Sequence, residues 1–326
     1  MAYFFVAIST RQNLELCKKH ALAGFPQTWS GLWAYVDIQL GDFISFLYGG
    51  RAYGLYKVTK KKAFKDATSL PPQWEPVLTR KGPVYFPFRL FLEPVRELNE
   101  SLARLEFLYI AENLLRRGGI RKSHFQADQT TLCNVSRLGS LSYKKPEVLN
   151  FENHETFTPL FVGNKKNANP PEVNLLREEF LHVLLRHYLS KAETLKSLLE
   201  EINIYDVAPE NLEVLGERAL ERGYVDLLIK EKEPLGTAKQ IVVEVKTKTV
   251  SKRDVEQLLR YKGEIGEECI AGLVIANKVS KRIQQKFGEK VHFWKYEFKN
   301  LDLNMPQEFD KLLSAFSLSA MSNRKS

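Results

Sequence analysis

The sequence predicts a mixed α/β (α+β) fold in two domains, and three observations carry that expectation. The chain has 326 residues with 44% apolar content, enough for two ordinary cores of roughly 150 residues each. Its first half alternates apolar and polar residues through several short segments, whereas its second half interleaves strand patterns with helical ones. Between them, residues 151–172 collect Asn, Lys, Gly and the pair Pro170-Pro171 without any apolar period, which reads as a linker between domains at 1–150 and 173–326.

The first half opens with an apolar strand, Tyr3 to Ile8, then Ser9-Thr10 and a helix on which Leu14, Cys17 and Ala21 fall at helical spacing. WAYVDI, DFISFLYG, AYGLYKVTK and YFPFRLFLEPV follow as strands separated by turn residues, a pattern that describes a small, strongly curved mixed barrel. A helix from about Leu105 to Arg117 ends at Gly118-Gly119, where glycine suits the C-cap. In the second half a helix covers LLREEFLHVLLRHYL, three strands run near Leu212–Glu217, Tyr224–Lys230 and Gln240–Thr247, and a helix at Lys252–Lys262 leads to a buried strand at Ile270–Ala276. The order is αβββαβ, completed by a helix at Lys281–Phe287, a strand at Val291–Phe298 and a C-terminal helix near Gln307–Phe316.

Composition narrows the function. No run approaches the ~20 apolar residues that a bilayer crossing needs, and the N-terminus lacks a basic region followed by a cleavage site, so a cytoplasmic protein without a membrane partner is expected. Cys17, Cys133 and Cys269 fit neither a disulfide framework nor a zinc site and are expected as apolar packing residues. The net charge of +9 sits entirely in residues 1–150, with 21 Lys+Arg against 12 Asp+Glu, while residues 151–326 balance. A one-sided positive field of this kind suits a polyanion, because phosphate contact releases counterions.

Chemistry concentrates in GYVDLLIKEKEPLGTAKQIVVEVKTK. Asp226 lies in one strand, and Glu244 and Lys246 share a face of the next because strand side chains alternate. A hairpin about Leu235-Gly236 puts Asp226 across from Glu244, with Cβ atoms ~4.5–5.5 Å apart. Two carboxylates at that separation repel unless a divalent cation lies between them, and oxygen ligands suit magnesium or manganese. Metal-assisted phosphodiester hydrolysis follows, with Asp226 and Glu244 holding the metal and Lys246 orienting water or stabilising negative charge. Ser251-x-x-Asp254 forms a capping box, and Gln257 and Tyr261 share a face of the helix it starts. From the preceding helix Glu178 or Glu179 completes the ligand set, Glu179 standing as the third candidate metal ligand.

Asp226, Glu244-x-Lys246 and Gln257-x-x-x-Tyr261 resemble the PD-(D/E)xK nuclease superfamily, in particular the branch of RecB-type nucleases and NucS-type C-terminal domains, over roughly residues 175–298. That resemblance implies a restriction-endonuclease-like core; Val225 stands where the superfamily has a proline. Residues 1–140 are similar to the PUA-like group containing EVE and YTH domains, and closer to the N-terminal modification-reading domain of some archaeal McrB-type restriction proteins. The similarity implies an aromatic cage for a modified base. Three of the four tryptophans, Trp29, Trp33 and Trp74, lie in this half with Phe25 and Tyr48. By position Phe25 and Trp74 are the expected cage residues, Trp29 a third and Ser9 a border of the pocket; Trp33 and Tyr48 are further candidates for base binding, Trp33, within its strand, being the tryptophan that best suits the core. Arg116, Arg117, Arg121 and Lys122 are expected phosphate contacts, and no G-x-x-x-x-G-K-[ST] run is present, so no nucleotide cofactor is expected.

The resulting expectation is a modification-dependent DNA endonuclease that flips a methylated base, N6-methyladenine foremost, out of double-stranded DNA and cuts nearby with Mg2+ or Mn2+, as a homodimer because one site cuts one strand. The alternatives are a NucS-like endonuclease acting on mismatched or branched DNA, and a reader of modified DNA that does not cut.

Overall fold

The computed structural model describes residues 1–80, 82–98, 123–220 and 223–321, and these divide into two compact units. One holds Met1–Pro159 with Pro170–Glu172, and the other Leu160–Asn169 with the chain from Val173 onward. The Leu105–Arg117 helix and the four basic residues Arg116, Arg117, Arg121 and Lys122 lie outside the described residues.

In the first unit, β1 (Tyr3–Ala7), α1 (Arg11–His20), β2 (Leu22–Phe25), α2 (Trp29–Asp37), β3 (Phe43–Tyr48) and β4 (Arg51–Phe64) come first. Then follow β5 (Val77–Thr79), β6 (Gly82–Val84), β7 (Phe88–Glu97), β8 (His124–Ala127), α3 (Gln129–Val135), β9 (Ser140–Leu141) and β10 (Thr156–Phe157). The main sheet has eight strands with a path β2-β7-β4-β3-β1-β8, while β10 pairs with β4 and β9 with β7. Among the described residues this path does not close on itself, so the expected barrel is found as a mixed sheet with the hairpin β5-β6 beside it.

The WAYVDI segment, expected as a strand, is helical. Thr28 caps α2 by accepting a hydrogen bond from the Gly31 N–H at 3.2 Å, and Leu32, Trp33, Ala34, Val36 and Asp37 are all buried. Burial on every side leaves no polar face, so the sequence showed no helical period to set against the local alternation. Gly31 is required where α2 starts, because a Cβ there would lie 2.0 Å from the Pro26 carbonyl oxygen.

Residues 151–172 are not a plain linker. They contribute β10 to the first unit and β11 (Leu160–Val162) to the second, where β11 pairs with β12 (Val173–Leu175). The second unit continues with α4 (Glu178–Leu189), α5 (Ala192–Glu201), β13 (Leu212–Leu220), β14 (Gly223–Glu231), β15 (Gln240–Lys246), α6 (Lys252–Ile265) and β16 (Cys269–Ala276). It ends with α7 (Lys281–Phe287), β17 (His292–Phe298), β18 (Gln307–Glu308), α8 (Phe309–Ala315) and β19 (Phe316–Ala320). Six strands form one sheet in the order β13-β14-β15-β16-β17-β19, with β15-β16-β17 parallel and the outer pairs antiparallel. Helix α5 and strand β19 were not expected. Among the described residues no helix is long and apolar enough to cross a membrane.

Helix α6 is fixed at both ends of its first turn by Ser251 and Asp254: the Asp254 carboxylate accepts from the Ser251 N–H at 2.7 Å, and the Ser251 hydroxyl accepts from the Asp254 N–H at 3.4 Å. Its inner face, Val255, Leu258 and Tyr261, packs on Val242, Val274 and Phe293 of the sheet. Leu258 is fully buried between α6 and the sheet. Leu258→Ala should therefore cost about 2–5 kcal/mol of stability, read from the midpoint shift in urea unfolding.

Candidate functional site

The β14-β15 hairpin brings the expected acids together. Leu227 pairs with Val243 and Leu228 with Val242, a register that runs on to set Asp226 beside Glu244. Asp226 Oδ2 accepts a hydrogen bond from the Val245 N–H at 2.7 Å, which fixes the carboxylate against β15. Lys246 lies two residues beyond Glu244 on the same strand face and donates to Glu244 Oε1 at 3.0 Å and to Glu178 Oε1 at 3.0 Å; its Nζ is also 3.7 Å from Asp226 Oδ2. One ammonium thus lies among three carboxylates.

Glu178 comes from the first turn of α4, where the helix dipole favours an acid. Its Oε2 accepts from the Thr247 N–H at 3.2 Å, so α4 is bonded to the end of β15 through both carboxylate oxygens. Of the two glutamates weighed from the sequence, Glu178 belongs to the site. Glu179, carried as the third metal ligand, is turned about 100° around the helix axis and has no part in the cluster.

His182 was missed. It lies one helical turn beyond Glu178, on the same face of α4, with Nε2 3.7 Å from Asp226 Oδ1. Ligand atoms of Glu178, His182 and Asp226 all lie within 4.8 Å of one another. The E-x-x-x-H spacing stands in EEFLHV, but His182 sits inside an apolar run, the company of a core residue, and it is buried. A second unanticipated acid, Glu217, is 3% exposed and falls at the ladder position across from Asp226, in backbone with φ +34°.

These atoms fit a divalent cation. Both ring nitrogens of His182 and Glu244 Oε2 are buried and have no hydrogen-bond partner among the described residues, so donor atoms remain available at the site. Glu244 is 1% exposed, and burial together with the neighbouring Asp226 pushes its carboxyl up to about 8. Burial works against the Lys246 ammonium, yet Asp226, Glu244 and Glu178 outweigh it and hold the amine above the ordinary lysine range. Lys246 therefore stays protonated at neutral pH and cannot serve as a base.

Gln257 donates from Nε2 to the Tyr261 hydroxyl at 2.9 Å. Burial and the Glu244 charge raise the Tyr261 phenol above its usual pKa. Gly223, just ahead of Asp226 on β14, gives that hydroxyl room: a Cβ there would lie 2.4 Å from Tyr261 Oη.

The first unit holds a cavity of about 540 Å³. Ser9, Phe25 and Trp74 line it, together with Asn13, Cys17 and Phe86. Trp29, Trp33 and Tyr48 are not in its lining. The two tryptophans stack on each other, with centroids 5.9 Å apart, and Trp33 meets His124 edge-on, which places Trp33 in the packing around α2 and not in a strand. Trp74 is held firmly. Asn13 bonds both the carbonyl and the N–H of Glu75, Phe86 meets the indole edge-on, and the Arg89 guanidinium lies 3.9 Å over the ring. Arg89 is 1% exposed, its Nε and Nη1 have no hydrogen-bond partner among the described residues, and burial lowers its pKa.

No protein-family model matches the chain, and no curated protein does. Among solved structures, a repair endonuclease from Pyrococcus abyssi is 22% identical over 31% of this chain and 44% of its own, with a TM-score of 0.22. EndoMS in complex with double-stranded DNA is 23% identical over 33% and 44%, at a TM-score of 0.21. The DNA modification-dependent restriction endonuclease AspBHI is 10% identical over 88% and 66%, also at 0.21. The chain covers less than half the length of the first two.

Removing a ligand should weaken cation binding before any reaction is considered. Isothermal titration with Mn2+ should show at least about a tenfold loss of affinity for Glu178→Gln and His182→Ala, and an unchanged affinity for Glu179→Gln. Equal losses at 178 and 179 would displace the site from the α4 face described.

Proposed function

We propose that this chain is a metal-dependent DNA endonuclease whose second unit hydrolyses phosphodiester bonds and whose first unit reads a modified base. One observation carries the reading: Glu178, His182 and Asp226 offer oxygen and nitrogen donors within 4.8 Å, beside the pair Glu244 and Lys246 on the next strand. Mg2+ or Mn2+ held there would supply Lewis acidity toward a phosphate oxygen. The chain's own groups do the rest. Asp226, fixed by the Val245 N–H, and Glu178, fixed by the Thr247 N–H, orient the ligand atoms. Lys246, protonated and directed by its three carboxylates, stabilises negative charge developing on the phosphate. Gln257 and Tyr261 form a hydrogen-bonded pair behind the Asp226 strand and position Gly223 and its neighbours.

The largely apolar, aromatic-lined cavity of the first unit supports the reading of a base. Its volume lies in the range of small-ligand sites, and Phe25, Trp74 and Phe86 offer faces and edges for a planar base. The reading takes the first unit as a PUA-like module of the EVE and YTH kind, with N6-methyladenine as the expected base and duplex DNA flipped to deliver it. Two copies would be needed to cut both strands.

Matched plasmids, methylated and unmethylated, incubated with Mg2+ test the whole. Asp226→Ala should lower cutting roughly a thousandfold or more while retaining binding; surviving activity would overturn the metal site. Trp74→Ala should weaken binding to methylated duplex about 5- to 150-fold in an anisotropy titration and reduce the preference over unmethylated DNA. An unchanged preference would remove the cavity from base reading.

A further inference from the structure

A second cavity, of about 430 Å³, lies in the nuclease-like unit and shares Thr247 with the acid cluster. Thr247 is the residue whose N–H bonds Glu178 Oε2 at 3.2 Å, so this cavity begins where the cation ligands end. Asn277, Lys295, Glu297, Lys299 and Leu303 are among its other walls.

The topology explains why basic and amide groups gather here. Strands β15, β16 and β17 run parallel, and their register puts Lys246, Ala276 and Lys295 in one row across the sheet. Side chains in one such row share a face, and the outer two positions are two strand spacings apart, about 9–10 Å. One residue further on, Thr247 and Asn277 lead out of β15 and β16 into Lys248 and Lys278. All the parallel strands therefore end toward the same edge, and each carries a lysine or amide out of the sheet there.

Charge accounting favours an anion. Lys295 pairs with Glu297, which cancels the one acid in the cavity wall among the described residues. Lys299 remains, and among the described residues Lys248, Lys278 and Lys299 form no ion pair. Asn277 is exposed, and its amide makes no hydrogen bond among the described residues. An amide and a flexible ammonium beside a lysine-rich edge suit a phosphodiester, whose oxygens accept from both.

We propose that this cavity is a phosphate subsite: it binds the DNA backbone next to the phosphate being cut, with Lys299 and Asn277 as its contacts. The inference rests on the endonuclease reading and adds to it the path of the cut strand, from the acid cluster past Thr247 toward β17. Lys299 supplies charge, and Asn277 supplies a neutral hydrogen bond, so the two make separable contributions.

The test uses the full chain and a short duplex carrying N6-methyladenine, with Ca2+ for binding and Mg2+ for cutting. Lys299→Ala should lower the slope of log K against log salt by about 0.9 and weaken binding several-fold at low salt. Asn277→Ala should weaken binding with its salt slope intact. In both, KM should rise several-fold while kcat stays within about twofold. A wild-type enzyme that cuts while both variants keep its slope and its KM overturns the subsite alone. A wild type that neither binds nor cuts this duplex overturns the endonuclease reading and the subsite with it.

Discussion

The second unit is organised around one ammonium. Glu244 is almost wholly buried, Asp226 is fixed to the neighbouring strand, and Glu178 approaches from a helix; without Lys246 among them these three acids would face one another across a few ångströms of protein. An uncompensated buried charge costs several kcal/mol, and the acids raise the Lys246 pKa because each contributes part of that compensation. The contact is also mechanical. Lys246 and Thr247 together bond both carboxylate oxygens of Glu178, so the end of β15 and the start of α4 are tied to each other. His182 is carried into place by the same constraint, being one turn along α4 from the anchored residue.

Much of this was legible because strands have a period of two. The alternation of Val243, Glu244, Val245 and Lys246 assigns faces without ambiguity, and the hairpin length sets the register, which the Leu227–Val243 pairing matches. The helix was harder. Consecutive glutamates at 178 and 179 differ by 100° of phase, and nothing in the local sequence tells which one faces the sheet until the buried side of α4 is known. His182 fails for a related reason: a histidine among Phe180, Leu181, Val183 and Leu184 has the company of a core residue, and only its distance to Asp226 separates the two roles. In the first unit the error at WAYVDI was one of period. A helix buried on all sides shows no stripe, and the alternation of aliphatics with Trp33 and Tyr35 within it imitates a strand. The linker expectation failed because strands of two or three residues, such as β10 and β11, are shorter than any pattern can reveal.

The cavity of the first unit poses a question of magnitude. Burying one methyl group contributes only about 0.8 kcal/mol, a factor near four, so contact with a methyl cannot by itself distinguish a modified base from its parent. A wall that does not yield can do more, since a ligand of the wrong shape then meets overpacking costs of about 1–3 kcal/mol. Trp74 is such a wall. Asn13 fixes the backbone beside it, donating to the Glu75 carbonyl and accepting from the Glu75 N–H, Phe86 blocks an edge, and the backbone of Gly24 comes so close that a Cβ there would lie 2.0 Å from the indole. Arg89 adds an electrostatic bias. A guanidinium already 3.9 Å over the indole draws on the same ring quadrupole that a cationic ligand would need, which disfavours a second cation against that ring. If the cavity reads a base, as proposed, an aromatic wall with a buried guanidinium over its ring would favour flat, uncharged ligands, and a neutral methylated base would suit it better than an alkylated base that carries a positive charge.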